Sequence, residues 1–377
     1  MKPIVRTVPA SVTMSLDLAA RELSAAGRDI INLTAGQVDL PMPDEGKAAL
    51  TAALEADQTG YVPATGSADL KEAVRRKNGW TDGQILISSG AKPLLFAAIG
   101  CILGPGDEVL LPTPCYTSYP EMIRLFGAVP VPVPCRAENG FTVTRDDLEH
   151  SVTSRTKALL LNHPTNPTGA VYDADALRAI VEFSMAHDLW LIADEVYGAF
   201  VYEGAFVSLY SFPEVRDRLI LVNSASKTYA MAGLRLGYAV APEQAAAAMS
   251  GFLSHAVGCP CSLSERAAIA VLSLHDTWTD ALREIFRTRR DLLWSAVYGI
   301  PQLHGQKSAG AFYLWLNVKK IDGDDVRFCR RLLDAQGVAI TPGSAFLCPG
   351  YVRIAYTKDT PLLLDAASRL RRFCERP

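Results

Sequence analysis

Lys227 stands in Ser224-Ala225-Ser226-Lys227-Thr228-Tyr229, among small hydroxyl residues, and Arg235 follows within Gly233-Leu234-Arg235-Leu236-Gly237-Tyr238. A lysine amine attacks carbonyl groups only when it can lose its proton, which apolar surroundings or a nearby cation favour. A guanidinium pairs with phosphate through two hydrogen bonds and keeps its charge. The segment thus has the parts to hold a phosphorylated aldehyde covalently. Taken alone, it equally fits a strand-end loop in which Lys227 is solvated and the serines make turns.

Three other segments carry chemistry. Asp194-Glu195-Val196-Tyr197 follows the apolar run Leu189–Ala193, so Asp194 sits at a strand end where a carboxylate could pair with a protonated ring nitrogen; an isolated Asp there also fits a helix cap. Asn166-Pro167-Thr168-Gly169 is a tight loop that leaves Asn166 able to give and accept hydrogen bonds. Gly90-Ala91-Lys92 lies between a strand and a helix start, where backbone N–H groups make an anion site. It has neither the spacing of a Walker loop nor that of a dinucleotide fold. His163, before Pro164, reads as an extended loop residue rather than a general base.

These residues need a scaffold, and the chain supplies one. Ile85–Ile87, Glu108–Leu111, Val129–Val133, Ala158–Leu161, Leu189–Ala193 and Leu219–Val222 read as strands. Helical segments at Lys92–Leu103, Ser118–Phe126 and Asp173–His187 alternate with them, which implies a mainly parallel sheet covered on both faces, with a site beyond the strands' carboxyl ends. Leu263 to about Tyr298 reads as long helix, and Ala245–Ala248 as a helix-favouring run. Ala311–Leu316, Asp324–Gln336, Val338–Ile340 and Tyr351–Tyr356 suggest a compact C-terminal α+β unit.

A chain of 377 residues exceeds what one hydrophobic core usually serves, so two domains are expected. The net charge of −3, without a run of Lys or Arg, argues against a nucleic-acid surface and for a small substrate. No apolar stretch is long enough to span a membrane, and Met1–Arg6 lacks the apolar block of a signal peptide, so a cytoplasmic location is expected. The eight Cys are scattered, with only Cys259 and Cys261 close together; they read mostly as buried thiols, and no metal site is expected.

Together and in this order, the motifs resemble the class I/II aminotransferases of the aspartate aminotransferase-like superfamily, pyridoxal-phosphate enzymes of fold type I. The resemblance runs from about Ala19 to the C-terminus. It includes Ile31-Asn32-Leu33-Thr34-Ala35-Gly36, the Tyr61–Gly66 segment, Pro105–Val109, Pro114-Cys115-Tyr116, Gly310–Tyr313, Pro342–Phe346 and Val352-Arg353-Ile354. It implies an α/β fold: a large domain with a mainly parallel seven-stranded sheet (41–290), and a smaller α+β domain formed by the N-terminal segment (1–40) and the C-terminal part (291–377).

Carried over by position, the resemblance implies that Lys227 forms the Schiff base with pyridoxal 5'-phosphate and moves the substrate proton, while Asp194 keeps the ring nitrogen protonated. Tyr197 and Asn166 would hydrogen-bond the ring's phenolic oxygen, and Tyr116 would stack on the ring. Gly90, Ala91, Ser224, Ser226 and Arg235 would bind phosphate, with Lys92 nearby, and Tyr61 would reach the phosphate site of a partner subunit in a homodimer. Arg353 would grip the substrate α-carboxylate beside Gly36 and Asn166. The activity implied is transfer of an L-amino acid's amino group to a 2-oxo acid by a ping-pong cycle.

Gln37-Val38 stands where relatives commonly have Glu-Pro, and Cys115 replaces an often larger residue; both positions are expected at the substrate entrance. Two rivals remain open. Elimination (a C–S lyase), cyclisation or oxidation of a specialised amino acid would use the same Lys227 chemistry and release ammonia without an acceptor. A non-catalytic cofactor-sensing protein would usually carry a basic DNA-binding domain ahead of this fold, and the residues before Asn32 are not basic in that way.

Overall fold

The computed structural model describes residues 12–375. Residues 1–11, which include the Met1–Arg6 stretch and the start of the 1–40 segment, lie outside the described residues, as do Arg376 and Pro377. In chain order the strands begin with β1 (Ile31–Asn32), β2 (Gln84–Ser88), β3 (Glu108–Thr113), β4 (Val129–Pro134) and β5 (Thr156–Asn162). Next come β6 (Trp190–Asp194), β7 (Leu219–Ser224), β8 (Gly237–Ala241) and β9 (His304–Gln306). The last are β10 (Tyr313–Asn317), β11 (Val338–Ala339), β12 (Thr341–Pro342) and β13 (Tyr351–Ala355).

Seven strands form the large sheet in the order β2-β8-β7-β6-β5-β3-β4. All neighbours are parallel except at β8, which runs antiparallel to both β2 and β7. Successive side chains on a strand point to opposite faces, and here each face has its own core. Leu159, Leu161, Leu191, Ala193, Leu219 and Leu221 pack into one cluster with the helices Ala68–Asn78, Ala174–Ala186 and Ser262–Leu272. Ala158, Leu160, Ile192, Ile220 and Val222 pack into the other with the helices Ala91–Ile102 and Glu243–Ala256. Burial on both faces is why these strands read as continuous apolar runs.

The smaller sheet is antiparallel, in the order β12-β13-β10-β9. Its core joins Leu314, Leu316, Val352 and Ile354 to the helices Thr277–Val297, Asp325–Gln336 and Thr360–Glu375. β1 pairs in parallel with β11, which fastens the N-terminal segment to the C-terminal part.

Three expectations change. The Leu263–Tyr298 region is two helices, Ser262–Leu272 and Thr277–Val297, because Ser273, His275 and Asp276 interrupt the apolar repeat. β8 and the exposed β9 were not anticipated. The thiols are mostly not buried: Cys115, Cys329 and Cys374 are, Cys261 is exposed, and Cys101, Cys135, Cys259 and Cys348 are intermediate.

The sheet gathers the site at one edge. Asn162 and Asp194 are register partners at the ends of β5 and β6, and Asp194 is opposite Val222 of β7, two residues before Ser224. The turns leaving these ends, together with the start of Ala91–Ile102, surround one cavity.

Candidate active site

The cavity has a volume of about 400 Å³. Of the residues singled out in the sequence, Gly36, Ala91, Lys92, Tyr116, Asn166, Asp194, Tyr197, Ser224, Ser226, Lys227, Arg235 and Arg353 line it. Gly90 sits immediately behind, at the start of the helix Ala91–Ile102. Tyr61 is apart from the cavity wall, with its side chain fully exposed.

β7 ends at Ser224, whose hydroxyl accepts the Ser226 N–H at 2.9 Å and donates to the Leu236 carbonyl at 3.0 Å. This caps the short helix Ala225–Thr228 that carries Lys227 and ties it to the return strand. The Lys227 amine donates to the Gly36 carbonyl at 2.5 Å. Burial, then the cations Arg353 and Arg235, lower its pKa to about 8, against a smaller opposing pull from Asp194. Such an amine is substantially neutral at mildly alkaline pH and can act as a nucleophile.

Asp194 is buried, and Tyr119 donates its hydroxyl to Oδ2 at 2.6 Å while the Val196 N–H reaches Oδ1 at 3.3 Å. Burial raises the carboxyl above its usual range, opposed by Tyr119, Val196 and Lys227 in turn. The strand end is fixed by the Asp194 carbonyl, which accepts from the Asn162 side chain at 2.9 Å and from the His163 N–H at 3.0 Å. His163 is wholly buried, and its Nδ1 accepts the Tyr172 N–H at 3.3 Å, so it is a structural residue as read from the sequence.

A polar chain runs along the opposite wall. Arg353 donates through Nη1 to Asn166 Oδ1 at 2.9 Å, Asn166 donates to the Tyr197 hydroxyl at 3.4 Å, and Tyr197 shares a 2.8 Å bond with Tyr313. Arg353 also donates to the Thr34 carbonyl and lies between the rings of Tyr313, at 4.5 Å, and Phe346, at 4.8 Å. Two aromatic faces and a buried setting hold the guanidinium plane in one orientation.

At the remaining end, Gly90 has φ +103, a conformation open to glycine, and a Cβ there would meet the Arg235 guanidinium. A Cβ at Gly237 would strike the Gly90–Ala91 backbone. The two glycines let the helix N-terminus, Arg235 and the turn after β7 close on one another. Arg235 donates to the Ala232 carbonyl at 2.8 Å and to the Ser89 carbonyl at 3.4 Å, and its side chain remains exposed.

The model for aminotransferase class I and II matches residues 28–370. The chain belongs to the class I and II aminotransferases. It is 38% identical to the probable aspartate/prephenate aminotransferase of Aquifex aeolicus, over 97% of this chain and 96% of that protein. It is 35% identical to the aspartate aminotransferase of Geobacillus stearothermophilus, with 98% of each covered. Aspartate aminotransferase from Thermus thermophilus with maleate has a TM-score of 0.93 and 35% identity, covering 99% of this chain and 100% of that one. The enzyme from Rhizobium meliloti gives 0.94 at 34% identity, covering 100% and 99%.

This aminotransferase departs from the sequence reading at the entrance. Cys115 is buried against β3, its N–H bonded to the Phe346 carbonyl, and does not line the cavity; Val38 is buried in the small core. Gln37 is exposed and also off the cavity wall. Lining residues that were not singled out include Asp17, Thr34, Tyr119, Asn162, Tyr313 and Phe346. Of these, Thr34, Tyr313 and Phe346 fall inside or beside the recognised motifs, whereas Asp17 and Tyr119 carry no local signal.

Proposed function

We propose that this aminotransferase holds pyridoxal 5'-phosphate in the cavity and takes an acidic amino acid as its amino donor. The wall fits the cofactor's parts: a lysine amine, a buried carboxylate, and a glycine cradle at a helix N-terminus beside a guanidinium. When bound, the cofactor supplies an aldehyde that takes up the amino group and a ring that withdraws the electrons of the substrate Cα–H bond.

The chain's own residues do the rest. Lys227 Nζ would hold the cofactor's aldehyde carbon and, as a free amine, would be the base that moves the proton from the substrate Cα. Asp194 would pair as a carboxylate with the ring nitrogen and favour its protonated form. Tyr197 and Asn166 direct hydrogen bonds at the phenolic oxygen, and Tyr116 provides an aromatic face. The Ala91 N–H, Ser226 and Arg235 take the phosphate, with Gly90 giving it room. Ser224, whose proton is already directed at Leu236, holds this turn in place. Arg353 grips the α-carboxylate beside Gly36, which fixes the direction of the Cα–H bond. Tyr61, fully exposed on its loop, would complete the site of a second copy in a homodimer.

Lys92 carries the acidic-donor reading. Its side chain is exposed, lines the cavity with its amine 5.6 Å from the centre of the Tyr116 ring, and makes no ion pair with any of the described residues. A cation so placed complements a second substrate carboxylate, and the relatives from Geobacillus stearothermophilus and Thermus thermophilus named above are aspartate aminotransferases. Lys92→Gln should lower kcat/KM for aspartate about 10- to 100-fold, mostly through KM, from the loss of a charge-assisted bond of roughly 1.5–3 kcal/mol. Alanine should change by less than about threefold on the same reasoning. Equal losses on both substrates would overturn the reading.

A further inference from the structure

Two carboxylates line the cavity among the described residues: Asp194 and Asp17. Asp17 belongs to the helix Val12–Ala25, and no motif assigns it a role. Its position is built. Oδ1 accepts the Asn32 side-chain N–H at 2.7 Å and the Thr34 hydroxyl at 3.2 Å, while Oδ2 accepts Arg21 Nε at 2.6 Å. Thr34 is also held by Asn32, through its N–H at 3.0 Å and its hydroxyl at 2.7 Å, and its carbonyl receives Arg353. The Asp17 carboxylate is thus locked one residue away from the arginine that grips the substrate.

Burial alone would raise the Asp17 carboxyl, but the bonds from Asn32, Arg21 and Thr34 together bring it below its usual range, so it is ionised at neutral pH. Its main counter-charge, Arg21, lies outside the cavity lining with 71% of its side chain exposed, where water weakens the pairing. A fixed negative charge therefore shares the cavity with Lys92.

We propose that Asp17 is a specificity-determining residue: its carboxylate opposes a second carboxylate on the substrate, and so offsets part of the attraction of Lys92 and keeps the enzyme open to donors with neutral side chains. Discrimination by a repulsive group placed beside an attractive one is a general way to set a ratio of affinities. In turnover the consequence rests on the acidic-donor reading, and the test below separates the two.

The test uses the cofactor-loaded enzyme and two competitive inhibitors of equal length, succinate and butyrate, which differ by one carboxylate. Asp17→Asn keeps an acceptor for Asn32 and Thr34 and removes the charge. It should tighten succinate about fivefold and move butyrate by less than about twofold. Arg21→Gln removes the outer counter-charge and should act in the opposite direction, weakening succinate about twofold with butyrate unmoved. A merely structural role for Asp17 would shift both inhibitors together, and that result, or no shift in either, would overturn the proposal. If the wild type fails to use aspartate, the acidic-donor reading falls, while the succinate-to-butyrate ratio still reports on Asp17.

Discussion

Tyr119 and Asp194 meet in a buried 2.6 Å hydrogen bond, and removing its donor gives a prediction with a sign and a size. A hydrogen bond to an ionised group contributes about 1.5–3 kcal/mol, and one pKa unit corresponds to about 1.36 kcal/mol. Burial already holds the Asp194 carboxyl above its usual range, and Tyr119 is the largest influence pulling it back. In Tyr119→Phe the carboxyl should therefore move further up. The acid limb of the kcat/KM profile shifts to higher pH, since the ionised form is lost sooner as pH falls. At neutral pH kcat/KM should drop about 10- to 100-fold, because the carboxylate proposed to face the ring nitrogen is less stabilised. Tyr172→Phe is the control: Tyr172 is as deeply buried and bonds the Val143 N–H at 3.1 Å, away from the cavity lining. It should lower thermal stability and leave the acid limb in place. A Tyr119→Phe enzyme with an unmoved acid limb and kcat/KM within about twofold of wild type would refute the reasoning.

Two further outcomes follow from the charges in and under the cavity. With its pKa lowered to about 8, the Lys227 amine should take up cofactor at a rate that rises about tenfold per pH unit below 8 and levels above it; Arg353→Gln removes a neighbouring cation, so stopped-flow should find the plateau at higher pH. Glu195 is buried beneath the site, accepting the Ser208 hydroxyl at 2.7 Å and the Leu209 N–H at 2.8 Å, and burial raises it to about 7. The folded chain then binds a proton that the unfolded chain has released, so this residue's contribution to stability declines as pH rises from about 4.5 to 7. Glu195→Gln should be more stable than wild type at pH 8, by roughly 2–3 kcal/mol at most, with the gap closing toward acid pH in denaturant titrations.

What the sequence made legible follows from the reach of each signal. Of the six large-sheet strands read from the sequence, β2, β3, β5, β6 and β7 are apolar runs buried on both faces while the edge strand β4 is largely exposed, and the turns that follow keep Asp194, Asn166 and Lys227 beside the strands that position them. β8 escaped because its first residues, Gly237 and Tyr238, belong to the same stretch as Arg235 and read as loop. β9 has no buried residue to give it a pattern. In the site, the long-range partners were illegible. Tyr119 reaches Asp194 across 75 residues, Tyr313 reaches Tyr197 across 116, and the Thr34 carbonyl meets Arg353 across 319. Asp17 shows the same limit: nothing near it in the chain indicates that its helix lies against the cavity. Cys115 failed in the other direction, since adjacency to Tyr116 suggested the entrance while the chain turns its side chain into the core.

The most direct test of the central claim is one half-reaction. Purified, cofactor-loaded enzyme is mixed with aspartate and no acceptor, and keto acid, ammonia and the visible absorption of the cofactor are followed together. The account predicts one keto acid per chain, loss of the visible band and no ammonia, with the band restored by a 2-oxo acid and every signal absent in Lys227→Ala. Continuing release of ammonia without an acceptor, or a full response in Lys227→Ala, would contradict it.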